Sequence, residues 1–381
     1  MIGSVTALLM GHLASGSLLV TALLSFENKL PPTFLRFCIG FAALYSAADG
    51  NFYPWSVRHL VRFSALFIFM IFIALIDIKL IYKYAYPFLL LCLILLLSVE
   101  VIGSLGKGAE RWIKIFGTSI QPSEIIKIGI LLSLAKYYNN IKYENIGNII
   151  YLFFPILIIG IPFVLTLLQP DLGTALTILI LGIMVMFISG VKIWKFIVGS
   201  ISVLILIPFL WNYIKPYQQK RILSFLNPEN DPLGQGYQLI QSKIALGSGG
   251  FAGKGFLQGT QSYLEFLPEK QTDFIFTLIG EEFGFIGTIF ILILFSLIIL
   301  ICFYISFRSF HIFGRVLSLG IACNLFLYVL LNMSMVTGLM PVVGIPLPLI
   351  SYGGTAMLAV MISFGLLLNI DINYNNKKLE K

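Results

Sequence analysis

Apolar residues in this chain do not alternate with polar ones, and they do not recur on one face of a helical period. They come in continuous runs broken by short polar stretches. Ten such runs lie at 33–48, 60–76, 84–102, 123–138, 148–168, 172–189, 194–212, 274–305, 314–336 and 352–370. Most approach the roughly 20 residues that a helix needs to cross a bilayer. A membrane-spanning β-barrel would show alternating segments of about ten residues instead. The pattern predicts an all-α, polytopic transmembrane bundle of ten core spans. A further apolar run at 3–26 is followed by Glu27, Lys29 and Pro31-Pro32. It has no basic stretch before it, which argues against a secretory signal and leaves an eleventh span or an upstream extension. Residues 1–32 are therefore set apart from a single transmembrane domain over 33–381.

Composition agrees. Hydrophobic residues make up 58% of the 381 and charged ones 11%, with mean hydropathy +0.95, against about 25% charged in a soluble domain. Cys38, Cys92, Cys302 and Cys323 all sit inside apolar runs, with no metal or redox spacing. A formal charge of +8 invites a nucleic-acid reading, but its distribution does not. Lys79, Lys83, Lys136, Lys142, Lys192, Lys195, Arg308, Arg315 and the tail lysines Lys377, Lys378 and Lys381 fall in alternate short connections and at the C-terminus. Positive charge in short loops marks the cytoplasmic side. Both ends of the ten-span core are thus expected in the cytoplasm, with no nucleic-acid partner. Arg36 lies near enough to the start of its run to snorkel to the interface.

The connections on the opposite side are larger. Segment 103–122 is polar and glycine-bearing, 213–272 is a long extracytoplasmic loop, and 338–351 carries Pro341, Pro346 and Pro348 with two glycines. Long loops in compact proteins are usually functional. The proline-rich one cannot be a regular helix, and its apolar character suggests that it packs into the mouth of the bundle.

Ionisable groups inside spans are costly and mark cavities or partners. Glu124 and Lys127 are three apart at a helix start, on one face, and read either as a structural ion pair or as the lining of a substrate cavity. Asp171 is an N-cap or a cavity carboxylate. Asp273 sits where polar loop becomes apolar helix, with Thr272 available as a cap. A carboxylate there, at membrane level but near water, suits a general base on a lipid-linked substrate. Glu281 and Glu282 read as packing partners or pathway residues. Arg111, Lys114, Lys127, Arg221, Lys243, Lys254 and Lys270 give the outer side a cationic surface fit for a pyrophosphate. The glycine-rich stretch 245–256 lacks the context of a phosphate loop and is expected to be a flexible loop.

The motifs GKGAERWIKIFGTSIQPSEIIK, LQPDLGTAL, RILSFLNPENDPLGQGYQLIQSKIALGSGG, GKGFLQGTQSYLEFLPEKQTDFIF, GEEFGFIG and PVVGIPLPLISYGGT resemble, in order, the SEDS proteins of shape, elongation, division and sporulation. GTQS, LEFLPE and PLPLISYGG look like the rod-shape branch. The resemblance implies a peptidoglycan glycosyltransferase of the bacterial cytoplasmic membrane, with its site on the extracytoplasmic side. Its substrate would be lipid II, polymerised during lateral wall elongation, and its partners a class B penicillin-binding protein and other elongation-complex proteins. It places the family's catalytic aspartate on Asp273, as general base or as ligand of a divalent cation, Mg²⁺ or Mn²⁺. It places cavity residues on Glu124, Lys127 and Asp171. Lys127 with Arg221 or Lys243, and Arg111 on the same side, would neutralise the leaving pyrophosphate. Gln271 stands where the family commonly has His. A lipid II flippase is the alternative, since intramembrane charges suit a transporter. The concentration of candidate groups on one side favours the polymerase.

Overall fold

The computed structural model describes residues 31–373, except 103, 107–108, 116–117, 170, 211–215, 232–233, 265 and 268. The apolar run at 3–26 and the tail lysines lie outside the described residues. Ten long helices match the ten apolar runs: α1 Pro31–Ala47, α2 Ser56–Leu75, α3 Ile78–Ile102, α4 Pro122–Asn140, α5 Ile149–Leu168, α6 Leu172–Ile188, α7 Ile193–Leu210, α11 Ile275–Arg308, α12 Ile312–Thr337 and α13 Gly354–Ile372. Between α7 and α11 lie α8 Pro216–Leu226, α9 Gln235–Ser248 and the single turn α10 Thr260–Tyr263. Among the described residues, six helices (α2, α3, α5, α11, α12, α13) are long and apolar enough to cross a membrane, and α1, α6 and α7 are shorter apolar helices. The tenth, α4, carries Glu124, Lys127 and Lys136. Segment 104–120 adds a small antiparallel sheet in the order β1 (Ser104–Gly106), β2 (Ala109–Ile115), β3 (Thr118–Ile120), a detail that the all-helical expectation does not contain. The chain is a multi-pass helical membrane protein.

Burial sorts the helices. The most apolar stretches of α12 and α13 are 78% and 83% buried, against 22–33% for the other four long spans, so α12 and α13 are central, as is α4, most of whose residues are buried, and those four spans present apolar faces outward. Arg36 does not snorkel. It is fully buried, with its guanidinium 4.3 Å from the centre of the Phe295 ring, where a π-face offsets part of the desolvation of the cation.

Contacts confirm that the helices run alternately up and down. At the end bearing the short basic connections, Asn369 Nδ2 donates to the carbonyls of Ile73 (3.2 Å), Ala74 (3.1 Å) and Ile76 (2.5 Å). It thereby bonds to carbonyls at the C-terminal end of α2, where the helical ladder runs out. Asn139 Oδ1 accepts from the Phe313 N–H, and Lys136 Nζ donates to the Lys83 carbonyl. At the opposite end the long connections fold onto one another.

That loop end is built around a broken helix. At 34 residues, α11 would be about 50 Å long, well beyond the ~30 Å apolar thickness of a bilayer. It breaks at Gly284, whose φ of 63° and ψ of −156° are non-helical and favour glycine. Backbone freed at membrane depth must find partners within the protein, and the stretch 250–255 supplies them. Phe285 N–H donates to the Gly250 carbonyl (3.0 Å) and Ile286 N–H to that of Phe251 (3.2 Å). In return, Lys254 N–H donates to the Glu281 carbonyl (3.0 Å) and Gly255 N–H to that of Glu282 (2.9 Å). The glycine-rich stretch is therefore not a flexible loop but the fitted complement of the break. Its glycines answer steric demand: a Cβ on Gly253, at φ +83°, would lie 2.1 Å from the Glu282 carbonyl oxygen. Gly253→Ala is expected to destabilise the chain by roughly 1–3 kcal/mol. Gly247→Ala, whose Cβ meets open space on α9, should leave the thermal unfolding midpoint in detergent unchanged or raise it, because alanine favours helix.

Candidate active site

Three elements of the loop end converge on residues 343–345. Asp171 is the N-cap of α6, and its carboxylate accepts from the Thr174 N–H at 3.2 Å and from Gln121 Nε2 at 3.1 Å. Gln121 is itself the N-cap residue of α4, and its N–H donates to Thr355 Oγ1 near the start of α13. Two residues into α6, Gly173 lies so close to Val343 that a Cβ would fall 1.9 Å from its Cγ1. Asp273, 8% exposed, reaches the next residue: its Oδ2 lies 3.3 Å from where a Gly344 Cβ would be. Gly344 has φ +78°, so glycine is favoured there on backbone grounds too. The Asp273 carboxylate and the first turn of α6, which Asp171 caps, thus meet consecutive residues of the proline-rich segment, which does pack into the bundle mouth.

The third element is α12. Asn332 Nδ2 donates to the backbone carbonyls of Asp273 (2.9 Å) and Ile345 (2.8 Å). Four residues earlier on the same face, Tyr328 closes a buried ring with Glu124 and Lys127. Lys127 Nζ donates to Glu124 Oε1 at 2.9 Å and to Tyr328 Oη at 2.7 Å, and the Tyr328 hydroxyl donates to Glu124 Oε2. All three residues are at most 5% exposed. The Glu124–Lys127 pair and the backbone of Asp273 are therefore held one turn apart on α12, about 6 Å along its axis. Neither Tyr328 nor Asn332 was singled out from sequence. Their four-residue spacing in a mostly apolar run was the available signal.

The basic candidates differ in setting. Lys243 is exposed on α9, and a Cβ on Gly338, the left-handed cap of α12, would lie 2.0 Å from its Cε. Arg221 is half-buried on α8. Arg111 lies on β2, and its side chain is outside the described ones. Lys254 pairs with Glu281 at 2.8 Å and Lys270 with Asp49 at 3.2 Å, so these two are structural rather than open to an anion. Thr272 does not cap α11. Its hydroxyl donates to Glu269 Oε2 at 2.8 Å, and Phe274 is the N-cap residue. The Gln271 carbonyl accepts from the Tyr352 N–H at 2.9 Å. Among the described residues, no three or more His, Cys, Asp or Glu side chains converge as a metal site.

Comparison with known proteins places this geometry. The chain is 44% identical over 291 residues to the peptidoglycan glycosyltransferase MrdB of Escherichia coli K12, covering 74% of this chain and 77% of that protein. It is 41% identical over 303 residues to a probable peptidoglycan glycosyltransferase FtsW of Trichlorobacter lovleyi, covering 77% of each. Among solved structures, a chain of a peptidoglycan synthase complex that coordinates polymerization and crosslinking superposes with a TM-score of 0.78 at 31% identity, over 92% of this chain and 98% of that one. The rod shape determining protein RodA of Thermus thermophilus superposes with a TM-score of 0.69 at 26% identity, over 91% and 98%. Residues 34–376 match the FtsW/RodA/SpoVE family of cell cycle proteins, and the chain belongs to that family, the SEDS proteins.

Proposed function

We propose that this chain is the peptidoglycan glycosyltransferase of wall elongation, polymerising lipid II on the extracytoplasmic face of the bacterial cytoplasmic membrane beside a class B penicillin-binding protein. The glycosyltransferase activity is that of its named relatives, and the partner matches the complex to which its structural neighbour belongs. The observation that supports the site is the approach of Asp273 Oδ2 to Gly344, with the first turn of α6, capped by Asp171, against the adjacent Val343.

In the reaction, the 4-hydroxyl of the acceptor's GlcNAc attacks the anomeric carbon of the MurNAc that ends the growing strand. The new glycosidic bond forms as the bond to undecaprenyl pyrophosphate breaks. Asp273 takes the proton of the attacking hydroxyl, and the leaving pyrophosphate carries the developing negative charge. Stabilising that charge is a large catalytic contribution. Lys127 is already engaged with Glu124 and Tyr328, so the exposed Lys243 is the more accessible cation. A divalent cation at Asp273 would draw most of its ligands from pyrophosphate oxygens, since no larger carboxylate set converges among the described residues. When bound, it would add charge neutralisation at the leaving group.

The test uses the purified chain with its transpeptidase partner and labelled lipid II in detergent. Glycan strands should form, because polymerisation crosses no membrane. A flippase would make none there and would instead move lipid II across vesicle bilayers, which would overturn the reading.

A further inference from the structure

A second polar site lies at the loop end, and it uses none of the residues assigned to the reaction. A cavity of about 90 Å³ sits between the end of α1, the turn 257–263 and the first half of α11, lined by Ser46, Asp49, Leu257, Ser262, Tyr263 and Glu282 among others. It is several times the ~10–15 Å³ that holds one water. Glu282 is 2% exposed. Its Oε1 accepts from the Ser46 hydroxyl and from the Leu257 N–H at 3.2 Å, whereas its Oε2, equally buried, meets no donor among the described residues.

The surrounding charges do not cancel. Asp49 Oδ1 is held by Lys270 Nζ at 3.2 Å, and the same ammonium donates to the Ser262 carbonyl at 2.8 Å. Glu281, next to Glu282, is matched by Lys254 at 2.8 Å and by the N–H groups of Gln261 and Ser262. Among the described residues no ammonium or guanidinium is paired with Glu282, and burying a carboxylate charge without a partner is strongly unfavourable. The polar groups of the lining residues are carboxylates, hydroxyls and backbone groups, and none is a nitrogen or sulfur ligand of the kind that soft metals select.

We propose that this cavity binds a small hard cation, of the class of Na⁺, Mg²⁺ or Ca²⁺, with Glu282 Oε2 as its charged ligand. Such ions take oxygen donors, which the hydroxyls of Ser46 and Ser262 and the carboxylate of Asp49 supply around it. The position gives the ion a task. Glu282 borders the break at Gly284, and its carbonyl accepts from Gly255 N–H. A cation there fastens the end of α1, the 250–263 stretch and the broken helix together. Discontinuous helices in membrane proteins are a recurrent setting for cation sites. The inference stands apart from the polymerase reading, because its readout is ion binding and not catalysis.

The experiment measures thermal unfolding of the purified, chelator-treated full chain in detergent, with NaCl, MgCl₂ or CaCl₂ against choline chloride at matched ionic strength. At least one of the three ions should raise the midpoint saturably above choline. Glu282→Gln should weaken the apparent affinity at least tenfold, and Asp273→Asn should keep the full response. No shift with any of the three ions, as expected if Glu282 were held as the neutral acid, would overturn the proposal. So would a Glu282→Gln protein that responds like wild type. Should that variant not fold, equilibrium dialysis of Asp49→Asn against radiolabelled calcium and sodium decides: weakened binding supports the site, and undiminished binding refutes it.

Discussion

Asp273→Ala should abolish glycan-strand synthesis by the complex of this chain with its transpeptidase partner, while leaving the folded chain in place. The two halves of the expectation have separate physical grounds. Loss of a positioned general base costs about 10²–10⁴-fold in rate, and any share in holding a cation at the pyrophosphate adds to that. The fold is expected to persist because the backbone of Asp273 is fixed by Asn332 through its carbonyl, which the substitution keeps. Strand synthesis is read by gel from labelled lipid II, and folding by circular dichroism and by retention of the partner. Asp273→Asn, nearly isosteric, should be as inactive as alanine. An alanine variant that polymerises at the wild-type rate would remove Asp273 from the chemistry.

How much of this was legible in the sequence follows from the kind of force involved. Runs of apolar residues are set by the bilayer itself, so the ten helices, their alternation and the clustering of long connections at one end could be read directly. α12 and α13 read no differently from the lipid-facing spans, because burial against protein and burial against lipid select similar side chains. Local rules located Asp171 as an N-cap and Glu124–Lys127 as a same-face pair, since both depend on residues within one turn. They failed where a partner lies far along the chain. Tyr328, 204 residues from Glu124, completes the ion pair, and Asn332 anchors Asp273. The glycine-rich stretch 245–256 misled for the same reason. Its glycines suggest freedom when considered alone, but they are required by the close approach of a helix that breaks at Gly284, and the break is visible only when 250–255 and 281–286 are seen side by side. Arg36 likewise lost its expected route to the interface because Phe295, far along the chain, lies beneath its guanidinium.

The Glu124–Lys127–Tyr328 ring supports the second large prediction, because it separates a scaffold role from a substrate-binding one. Lys127→Met removes the only ammonium in the ring and leaves Glu124, with a side chain 7% exposed, as a buried carboxylate facing a phenol. Breaking one partner of a buried pair typically costs about 3–5 kcal/mol, whereas replacing both with apolar or neutral groups of similar size is often neutral. Lys127→Met should therefore lower the unfolding midpoint sharply, and the double variant Glu124→Gln, Lys127→Met should recover most of the loss, since contacting residues are strongly non-additive. Activity of the double variant then decides the role. If the ring only holds α4 against α12, the stable double variant keeps strand synthesis, because Asn332 still anchors Asp273 one turn away. If the pair binds lipid II, the double variant is folded yet impaired, with the defect in the dependence on lipid II concentration rather than in the maximal rate. A single variant as stable as wild type would refute the closed, mutually compensating ring.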